Sequence, residues 1–425
     1  MRNKTISIGV IKGSTATFLL LVLAESLMAG HHKPPLLPPL IPQPTPSATT
    51  FGAPLPGLTA QQLQQFAVGL AQFKTVDTIS DGLGPIFNAQ SCVACHASPA
   101  VGGSSAVTET RFGRMVNGVF DPLANESGSL LHQSCMVPGV QMLIPLDANV
   151  VAQRKSNPLF GLGLIEAIPD TEIIANVHNP PIDGITGVPA MVIDAASGTT
   201  RVGRFGWKAQ QATLLSFSAD AYLNEIGVTT RIPGFTADIA PDGNQLALLG
   251  VEPSLTGYVF DQLQDLPNGG PPQTDGGTSD IDEFNDFMLM LANPPTVPLS
   301  ESAAQGQQVF AQINCVACHK PQMTTGPSTI QALSFKPVPL YSDLLLHDMG
   351  TLGDGIAQGA ANTTQMRTQP LWGLGVRAPY LHDGRAKTVF EAIKLHDGEA
   401  ATVRNRFLAL PAKEQQALID FINSI

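Results

Sequence analysis

The chain contains one five-residue pattern twice: Cys-Val-Ala-Cys-His at 92–96 and again at 315–319. Cys-x-x-Cys followed at once by His is the attachment signature of c-type haem, in which two thiols add to the porphyrin vinyl groups and the histidine ligates the iron. A zinc ribbon would need its Cys pairs about 15–20 residues apart, and a thioredoxin-type pair would need an alternating βα pattern. The sequence therefore predicts two covalently attached haem c groups. Their binding residues are Cys92, Cys95 and His96 for the first and Cys315, Cys318 and His319 for the second.

The N-terminal residues have the layout of an export signal. Basic residues precede a short apolar run, FLLLVLA at 18–24, and small residues follow it. The run is too short to anchor the chain across a bilayer. We therefore predict a signal peptide at 1–29 and a proline-rich, extended linker at 30–58. The mature protein is expected to be periplasmic and to have no membrane span.

Charge and composition limit the class of partner. The formal net charge of −11 argues against nucleic acid, which needs a basic surface. A basic soluble protein or a small molecule is a more natural partner. Hydrophobic residues make up 43% of the chain, which is enough for a core, whereas 40 Gly and 35 Pro predict long irregular segments.

A second repeated frame favours a duplicated haem module. NPLFGLGLIEAIPD at 157–170 and QPLWGLGVRAPYLHDG at 369–384 share Pro-Leu-aromatic-Gly-Leu-Gly. A helix-like stretch follows each frame and ends at a histidine, His178 or His396. The alternative is chance convergence of a Gly-rich turn.

The predicted fold class is mainly α, with two cytochrome c-like haem domains in tandem and long loop-rich inserts. The N-terminal haem c domain is placed at 59–295 and the C-terminal cytochrome c domain at 296–425. Ser300 is a predicted N-cap for the helix before the second motif, and Pro411 lies near the start of a closing amphipathic helix. Further helices are predicted at 204–227 and 280–292.

Longer segments carry a more specific signal: DGLGPIFNAQSCVACH, PLFGLGLIEAIPD, GRFGWKAQQATLL, YSDLLLHDMG and RTQPLWGLGVRAPYLHDGRAKTVFEAI. From about residue 60 to its end, the chain resembles the di-haem oxidoreductase family. That family is similar to the bacterial di-haem cytochrome c peroxidases and to the di-haem enzyme that matures methylamine dehydrogenase. The resemblance implies a peroxidase-like enzyme that reduces hydrogen peroxide, or another small oxidant, at the N-terminal haem. A small cytochrome or cupredoxin would supply electrons at the C-terminal haem. Some relatives also hold Ca²⁺ between the modules, which this sequence leaves open.

The resemblance implies a sixth ligand for the C-terminal haem. In the peroxidases that ligand lies fourteen residues after the histidine of the HDG motif, which here is His382. The matching position is His396, where relatives carry Met or Tyr. The metal ligands are therefore His96, His319 and His396, unless His396 caps its helix instead. His382 and His347 are interpreted as contacts of the haem more readily than as ligands.

The N-terminal haem departs from the peroxidases, because Phe112 stands where their distal histidine would be. Its iron is either open or bound by His178 or His132. Glu166 is the predicted catalytic acid–base residue, since a carboxyl among apolar neighbours has a raised pKa. The alternative is a Glu166 that is tied to backbone or Arg.

Two questions about electron transfer stay open at this point. Trp207 and Trp372 are candidates for an aromatic ring between the haems, or else are core residues. If both irons are six-coordinate, the chain is a non-enzymatic electron-transfer protein. If the first iron is open beside an acid, it is an enzyme.

Overall fold

The computed structural model describes residues 50–124, 128–137, 141–236, 265 and 279–425. The predicted signal peptide at 1–29 and residues 30–49 of the predicted linker lie outside the described residues. Within the described ranges, no helix has the length and apolar character that a bilayer span requires.

Most described helices are short and begin at residues with a clear capping signal. Thr59 caps α1 through a reciprocal pair of hydrogen bonds with Gln62, and Ser300 caps α6 by accepting from the Ala303 N–H at 3.1 Å. In chain order the α-helices are α1 (Ala60–Gln72), α2 (Leu162–Glu166), α3 (Asp170–Ile174), α4 (Leu214–Ala221), α5 (Asp280–Met290), α6 (Glu301–Gln312), α7 (Val389–Lys394), α8 (Ala401–Ala409) and α9 (Ala412–Ser424).

The strands form several small antiparallel sheets. In chain order they are β1 (Ile86–Phe87), β2 (Thr108–Val116), β3 (Val119–Asp121), β4 (Leu130–Leu131), β5 (Ser134–Cys135), β6 (Val150–Lys155), β7 (Ala190–Ile193), β8 (Thr200–Gly203), β9 (Met323–Thr324), β10 (Pro337–Val338), β11 (Leu346–Asp348) and β12 (Gln365–Arg367). The longest strand, β2, pairs with β3, β4 and β6, and four two-stranded sheets pair β1 with β5, β7 with β8, β9 with β10 and β11 with β12.

The predicted mainly-α fold class is wrong. Over the part of the chain that the structure describes, 33% is helix and 17% is strand. The sheet around β2 lies between the first motif and α2, in a segment for which no strand was predicted. Asn117 and Gly118, with φ of 51° and 80°, form the two-residue hairpin turn that joins β2 to β3. That Asn-Gly signal was present in the sequence, but composition and helical periodicity do not detect it.

The helix predicted at 204–227 is also shorter in the structure. Its first part is a loop, and the helix proper is α4, capped by Thr213. The chain then continues as a π-helical turn, Tyr222–Ile226. The helix predicted at 280–292 corresponds to α5.

The largest hydrophobic core joins segments that are distant in the chain. It contains Phe66 of α1, Ile165 of α2 and Phe287 of α5, together with Leu340 and Trp372 from the C-terminal half. The predicted boundaries of the two haem domains, 59–295 and 296–425, stay a prediction.

A second core packs α6 against α9, as the apolar face of the closing helix predicts. Phe310 of α6 and Phe421 of α9 are buried, with ring centres 5.4 Å apart. A Cβ at Gly306 would lie 1.8 Å from the Ala417 carbonyl oxygen, so this close approach of the two helices requires glycine. The second motif follows directly after α6 and is held by this packing.

Candidate functional site

The first motif forms a single tight turn at Cys92–Ala94, after which the His96 N–H donates to the Cys92 carbonyl at 3.1 Å. The His96 Nδ1 lies 3.0 Å from the Gly103 carbonyl oxygen. That bond engages Nδ1 and leaves Nε2 as the nitrogen that can ligate a metal. Burial lowers the pKa of His96, which favours the neutral, ligating form.

The second motif repeats this arrangement. Its turn is Cys315–Ala317, and the His319 N–H donates to the Cys315 carbonyl at 2.9 Å. The His319 Nδ1 lies 3.1 Å from the Tyr341 carbonyl oxygen, which again leaves Nε2 for a metal. Burial, followed by the nearby His396, lowers the pKa of His319 to about 4.

The structure brings His396 to the second motif. The ring centres of His319 and His396 are 6.4 Å apart. The His396 Nδ1 lies 2.8 Å from the Ala392 carbonyl oxygen, so its Nε2 is left for another partner in the same way. The two imidazoles are thus placed as a pair that can bind one metal ion between them.

Two loops in different halves of the chain have the same backbone conformation. In one, the Phe205 N–H donates to the Gln211 carbonyl; in the other, the Tyr380 N–H donates to the Ala386 carbonyl. A capping threonine follows two residues after each bridge and begins α4 or α7. The positive φ angles also match: 81° and 52° at Gly206 and Ala209, against 72° and 75° at Leu381 and Gly384.

This match defines which residues of the two halves are equivalent. Trp207 corresponds to His382, and their rings are in edge contact with centres 6.2 Å apart. His396 lies eight residues after the cap Thr388, and the residue eight after Thr213 is Ala221. At the same sequence offset from the cap, the half with the first motif therefore has a methyl side chain and the other half an imidazole.

A large cavity lies against the first motif. The space within it and at its mouth is about 1660 Å³. Cys92, Cys95 and His96 line it, and so do Trp207 and Ala221. Its apolar wall includes Phe73, Leu159, Leu162, Phe205, Phe284 and Met288.

Three carboxyls line this cavity: Glu109, Asp220 and Glu225. Burial raises the pKa of Asp220. Glu109 and Glu225 are neighbours, and their pKa values are shifted in opposite directions. Burial, with the neighbouring Glu109 as a further cause, raises the pKa of Glu225 to about 8. Burial acts on Glu109 too, but its ion pair with Arg111, 3.0 Å from Nε to Oε1, holds its pKa below the usual range. Asn88 Nδ2 donates to Glu225 Oε2 at 2.8 Å and fixes that side chain. The raised pKa of Glu225 favours the protonated carboxyl on the wall of the cavity.

Glu225 was not among the sequence-predicted residues. It lies in the π-helical turn after α4, an irregularity that is frequent at functional sites. The sequence comparison paired 171–178 with 388–396 because both stretches end in histidine. Pairing the two capping threonines instead would have directed attention to α4 and to the NEIG segment at 224–227.

Glu166, the predicted acid, lies elsewhere. Its Oε2 accepts a hydrogen bond from the Leu214 N–H at 2.5 Å, at the N-terminus of α4, and it is not among the residues lining the described cavity. Burial raises its pKa, as expected, with Arg204 acting in the opposite direction. Its catalytic role stays a prediction; in its observed position the carboxyl holds the start of α4.

The two histidines considered for the first iron also have other partners. The His178 Nε2 lies 2.9 Å from the carbonyl oxygen of Ala317, in the second motif. The His132 Nε2 lies 2.9 Å from the carbonyl oxygen of Asn224. Among the described residues, neither histidine belongs to the cavity lining.

His347 is held by acids on both sides. Its Nε2 and Nδ1 each lie 2.8 Å from a carboxylate oxygen, of Asp343 and Glu399 respectively. Burial opposes its protonation, but the two carboxylates raise the pKa of His347 to about 12. The Nδ1 of His347 also lies 3.7 Å from Cys318 Sγ, so His347 contacts the second motif. Both ring nitrogens of His347 already have a carboxylate partner.

Comparison with known proteins gives the family. The sequence model described as "Di-haem oxidoreductase, putative peroxidase" matches residues 139–425. The chain belongs to this family. The match contains the second motif and α4, whereas the first motif at 92–96 precedes it.

Individual relatives are remote. No curated protein matches the chain in sequence. A structure of hydrazine synthase from Kuenenia stuttgartiensis is similar at 12% identity and a TM-score of 0.36, covering 92% of this chain and 100% of that one. A MauG-like protein associated with microbial copper homeostasis is similar at 14% identity and a TM-score of 0.31, covering 68% and 93%. Both similarities are too weak to support a statement about activity.

The residues that would hold the two haems of a di-haem oxidoreductase suit that cofactor in this chain. At each motif a histidine has Nδ1 engaged by a backbone carbonyl and Nε2 left for iron. At the first motif the cavity supplies an apolar wall, and at the second motif His396 supplies an opposing imidazole. Imidazole is the usual proximal ligand of haem iron. The donor set and its surroundings therefore suit a haem at each motif.

Proposed function

We propose that the chain is a periplasmic di-haem c-type oxidoreductase that reduces hydrogen peroxide at the first motif. In this reaction one peroxide takes up two electrons and two protons and gives two waters. Family membership supports the general class of oxidoreductase. The observation that carries the finer assignment is the cavity at the first motif, in which Ala221 stands where the second half has His396. That exchange leaves room for a small oxidant.

The haems, attached through Cys92 and Cys95 and through Cys315 and Cys318, would supply the redox chemistry when bound. The protein's own contribution at the first site is proton delivery. The carboxyl of Glu225 is protonated at neutral pH and lines the cavity, so it can donate to the leaving oxygen of peroxide. Glu109, kept ionised by Arg111, raises the pKa of Glu225 and so favours its reprotonation from solvent after each transfer, which supplies the two protons that one peroxide consumes.

Electrons are proposed to enter at the second motif, from a small cytochrome or cupredoxin. The paired imidazoles of His319 and His396 would both bind the iron of a haem at the second motif, which suits electron transfer. Trp207 and Trp372 both line the cavity at the first motif. Trp207 also contacts His382, in the loop that precedes α7, so this pair of rings joins the equivalent loops of the two halves.

The decisive experiment is EPR spectroscopy of the purified protein, fully oxidised and half-reduced, before and after addition of peroxide. A high-spin ferric signal that disappears with peroxide, beside one unchanged low-spin signal, is the expected result. Two low-spin signals in the oxidised protein, with no high-spin signal after half-reduction and no change on addition of peroxide, would replace the proposal with that of an electron-transfer protein. Covalent attachment is checked separately, because the haem must stay with the chain after denaturation.

A further inference from the structure

Three cationic side chains line the cavity at the first motif without a carboxylate partner. They are Lys155, at the end of β6, Arg367, at the end of β12, and Arg377. Lys155 is 8% exposed and Arg367 is 6% exposed. Within the described ranges, none of the three forms an ion pair with Asp or Glu.

Their hydrogen bonds are with neutral groups. Lys155 Nζ donates to the Pro379 carbonyl at 2.7 Å, and Arg367 Nε donates to the Gly206 carbonyl at 2.8 Å. Arg367 Nη2 donates to Gln369 Oε1 at 2.7 Å, and Arg377 Nη2 donates to the Pro370 carbonyl at 3.2 Å. These contacts fix the three side chains without neutralising them, and the charge of Asp343 acts on Arg367 without a direct ion pair.

The neighbouring buried cations do form ion pairs with carboxylates. Arg154 lines the same cavity and lies 2.6 Å from Asp354, and the buried Lys208 lies 2.9 Å from the other oxygen of that carboxylate. Arg204 pairs with Asp170, and Arg111 with Glu109. Because an unpaired buried charge is strongly unfavourable, the fold compensates the other cations of this region and leaves three at the cavity.

The three cations also repel one another. Burial and then the charge of Arg377 lower the pKa of Arg367, to about 9. The same two causes, in the same order, lower the pKa of Lys155. Such a group is stable when an anion with more than one negative charge lies among its members.

We propose that Lys155, Arg367 and Arg377 bind the two propionate carboxylates of the haem at the first motif. This inference rests on the proposed function, since it requires a haem at Cys92 and Cys95. A porphyrin is apolar apart from its two carboxylates. The cavity likewise has an apolar wall and, on its lining, these three cations that form no ion pair with Asp or Glu in the described residues. Arginine suits the role because its planar fork binds a carboxylate through two hydrogen bonds.

This arrangement places Arg367 and Arg377, from the C-terminal half of the chain, beside the haem of the first motif. Arg367 and Arg377 flank the repeated Pro-Leu-aromatic-Gly-Leu-Gly frame at 370–375, and Lys155 contacts the carbonyl of Pro379, just before the loop of His382. The reduction potential of the first haem is therefore set in part by the second half.

The test is an optical redox titration of each haem in the holoprotein, for the wild type and for Lys155→Gln, Arg367→Gln and Arg377→Gln. Each substitution removes a positive charge that favours the reduced haem, so the potential of the first haem is expected to fall. That of the second should change less. Arg367→Lys keeps the charge and should restore most of the shift. Arg385→Gln is the matched control, because Arg385 is exposed and pairs with Asp383 at 2.5 Å.

The pH dependence of the potential gives an independent readout. Removing a cation raises the pKa of a propionate, so the pH-dependent part of the first haem's potential should move to higher pH. Unchanged potential and pH dependence in all three Gln variants would overturn the proposal.

A free carboxylate is the competing occupant. If added acetate changes the EPR signal of the first haem in the wild type but not in Arg367→Gln, the cations bind an external anion and the proposal is wrong. An unchanged signal is the expected result. Failure of the proposed function would give different results in the wild type. Either the denatured chain would carry no haem at the first motif, or the EPR spectrum would show two low-spin irons.

Discussion

At the scale of single residues, the proposed peroxide reduction depends most directly on the protonation of Glu225. Its carboxyl is buried beside Glu109, and these two causes raise its pKa to about 8. A group with a raised folded-state pKa is protonated below that value and loses its proton as the pH rises through it. Peroxide reduction that needs the protonated form is therefore expected to decline above about pH 8.

Replacing Glu225 with Gln removes the transferable proton while keeping the hydrogen bond with Asn88 possible. We expect turnover to fall by about 10²–10⁴-fold, the usual contribution of a general acid. The decline above about pH 8 should disappear from the remaining activity. Glu166→Gln is the matched control. Its turnover should change little if Glu166 only accepts the hydrogen bond at the start of α4. A loss as large as that of Glu225→Gln would show that Glu166 is the general acid. Steady-state peroxide reduction across pH measures both.

His396 gives a second residue-scale prediction. His396→Met replaces an imidazole with a thioether, which stabilises the reduced haem and raises the potential. Axial ligands set haem potentials over about 0.8 V, so the shift should be readily measurable. It should be confined to the second haem in a redox titration. An unchanged potential and EPR signal would mean that His396 caps its helix and does not ligate.

At the scale of elements, the helices were easier to predict than the strands. Ser300 and the apolar face of α9 are local signals, and the structure has both. The strands depend on pairing: β2 is a strand because β3, β4 and β6 lie beside it. Pairing with segments as distant as β6 is not visible in a local pattern, although Asn117-Gly118 marked the hairpin. The equivalence of α4 and α7 was also not visible in the sequence. It rests on matching backbone angles and capping threonines, whereas the other residue types differ.

That equivalence can be tested by transferring the ligand. Ala221→His places an imidazole on α4 at the position that His396 has after α7. We expect the first haem to become low-spin and peroxide reduction to fall to the background level, with EPR and turnover as the measurements. Ala221→Leu is the control, because it adds bulk without a ligating nitrogen and should leave the iron high-spin. A high-spin signal in Ala221→His would contradict the structural match of the two loops.

At the scale of the whole molecule, one hydrophobic core contains residues from both the N-terminal and the C-terminal parts of the chain. The main core includes Trp372 and Leu340 beside residues of α1 and α5. The motifs, the family and His396 could be found from short sequence patterns. The cavity could not, because it is built from residues as distant as Phe73, Glu225 and Arg377, and no local pattern brings these together.

Asp354 is the clearest charged link between the halves. It lies between Arg154 of β6 and Lys208, at 2.6 Å and 2.9 Å, and all three side chains are buried. Burial alone would raise the pKa of Asp354, but the two cations hold it below the usual value. A lowered folded-state pKa stabilises the fold above the unfolded pKa, and this contribution is lost as the pH falls through the folded value.

Asp354→Asn leaves the buried Lys208 without a carboxylate partner and Arg154 with only Glu109, 3.9 Å away, which should cost about 3–5 kcal/mol of the free energy of unfolding. Asp183→Asn breaks a second link between the halves, that of Asp183 with the exposed Arg406, and should cost about 0–1 kcal/mol because exposed pairs contribute little. Chemical denaturation of the two holoproteins at neutral pH measures the difference. On acidification the difference between wild type and Asp354→Asn should shrink, since the wild type then loses the same charge. Equal losses in the two variants would show that the halves are held together by the shared core alone, with the buried charges contributing no more than surface pairs.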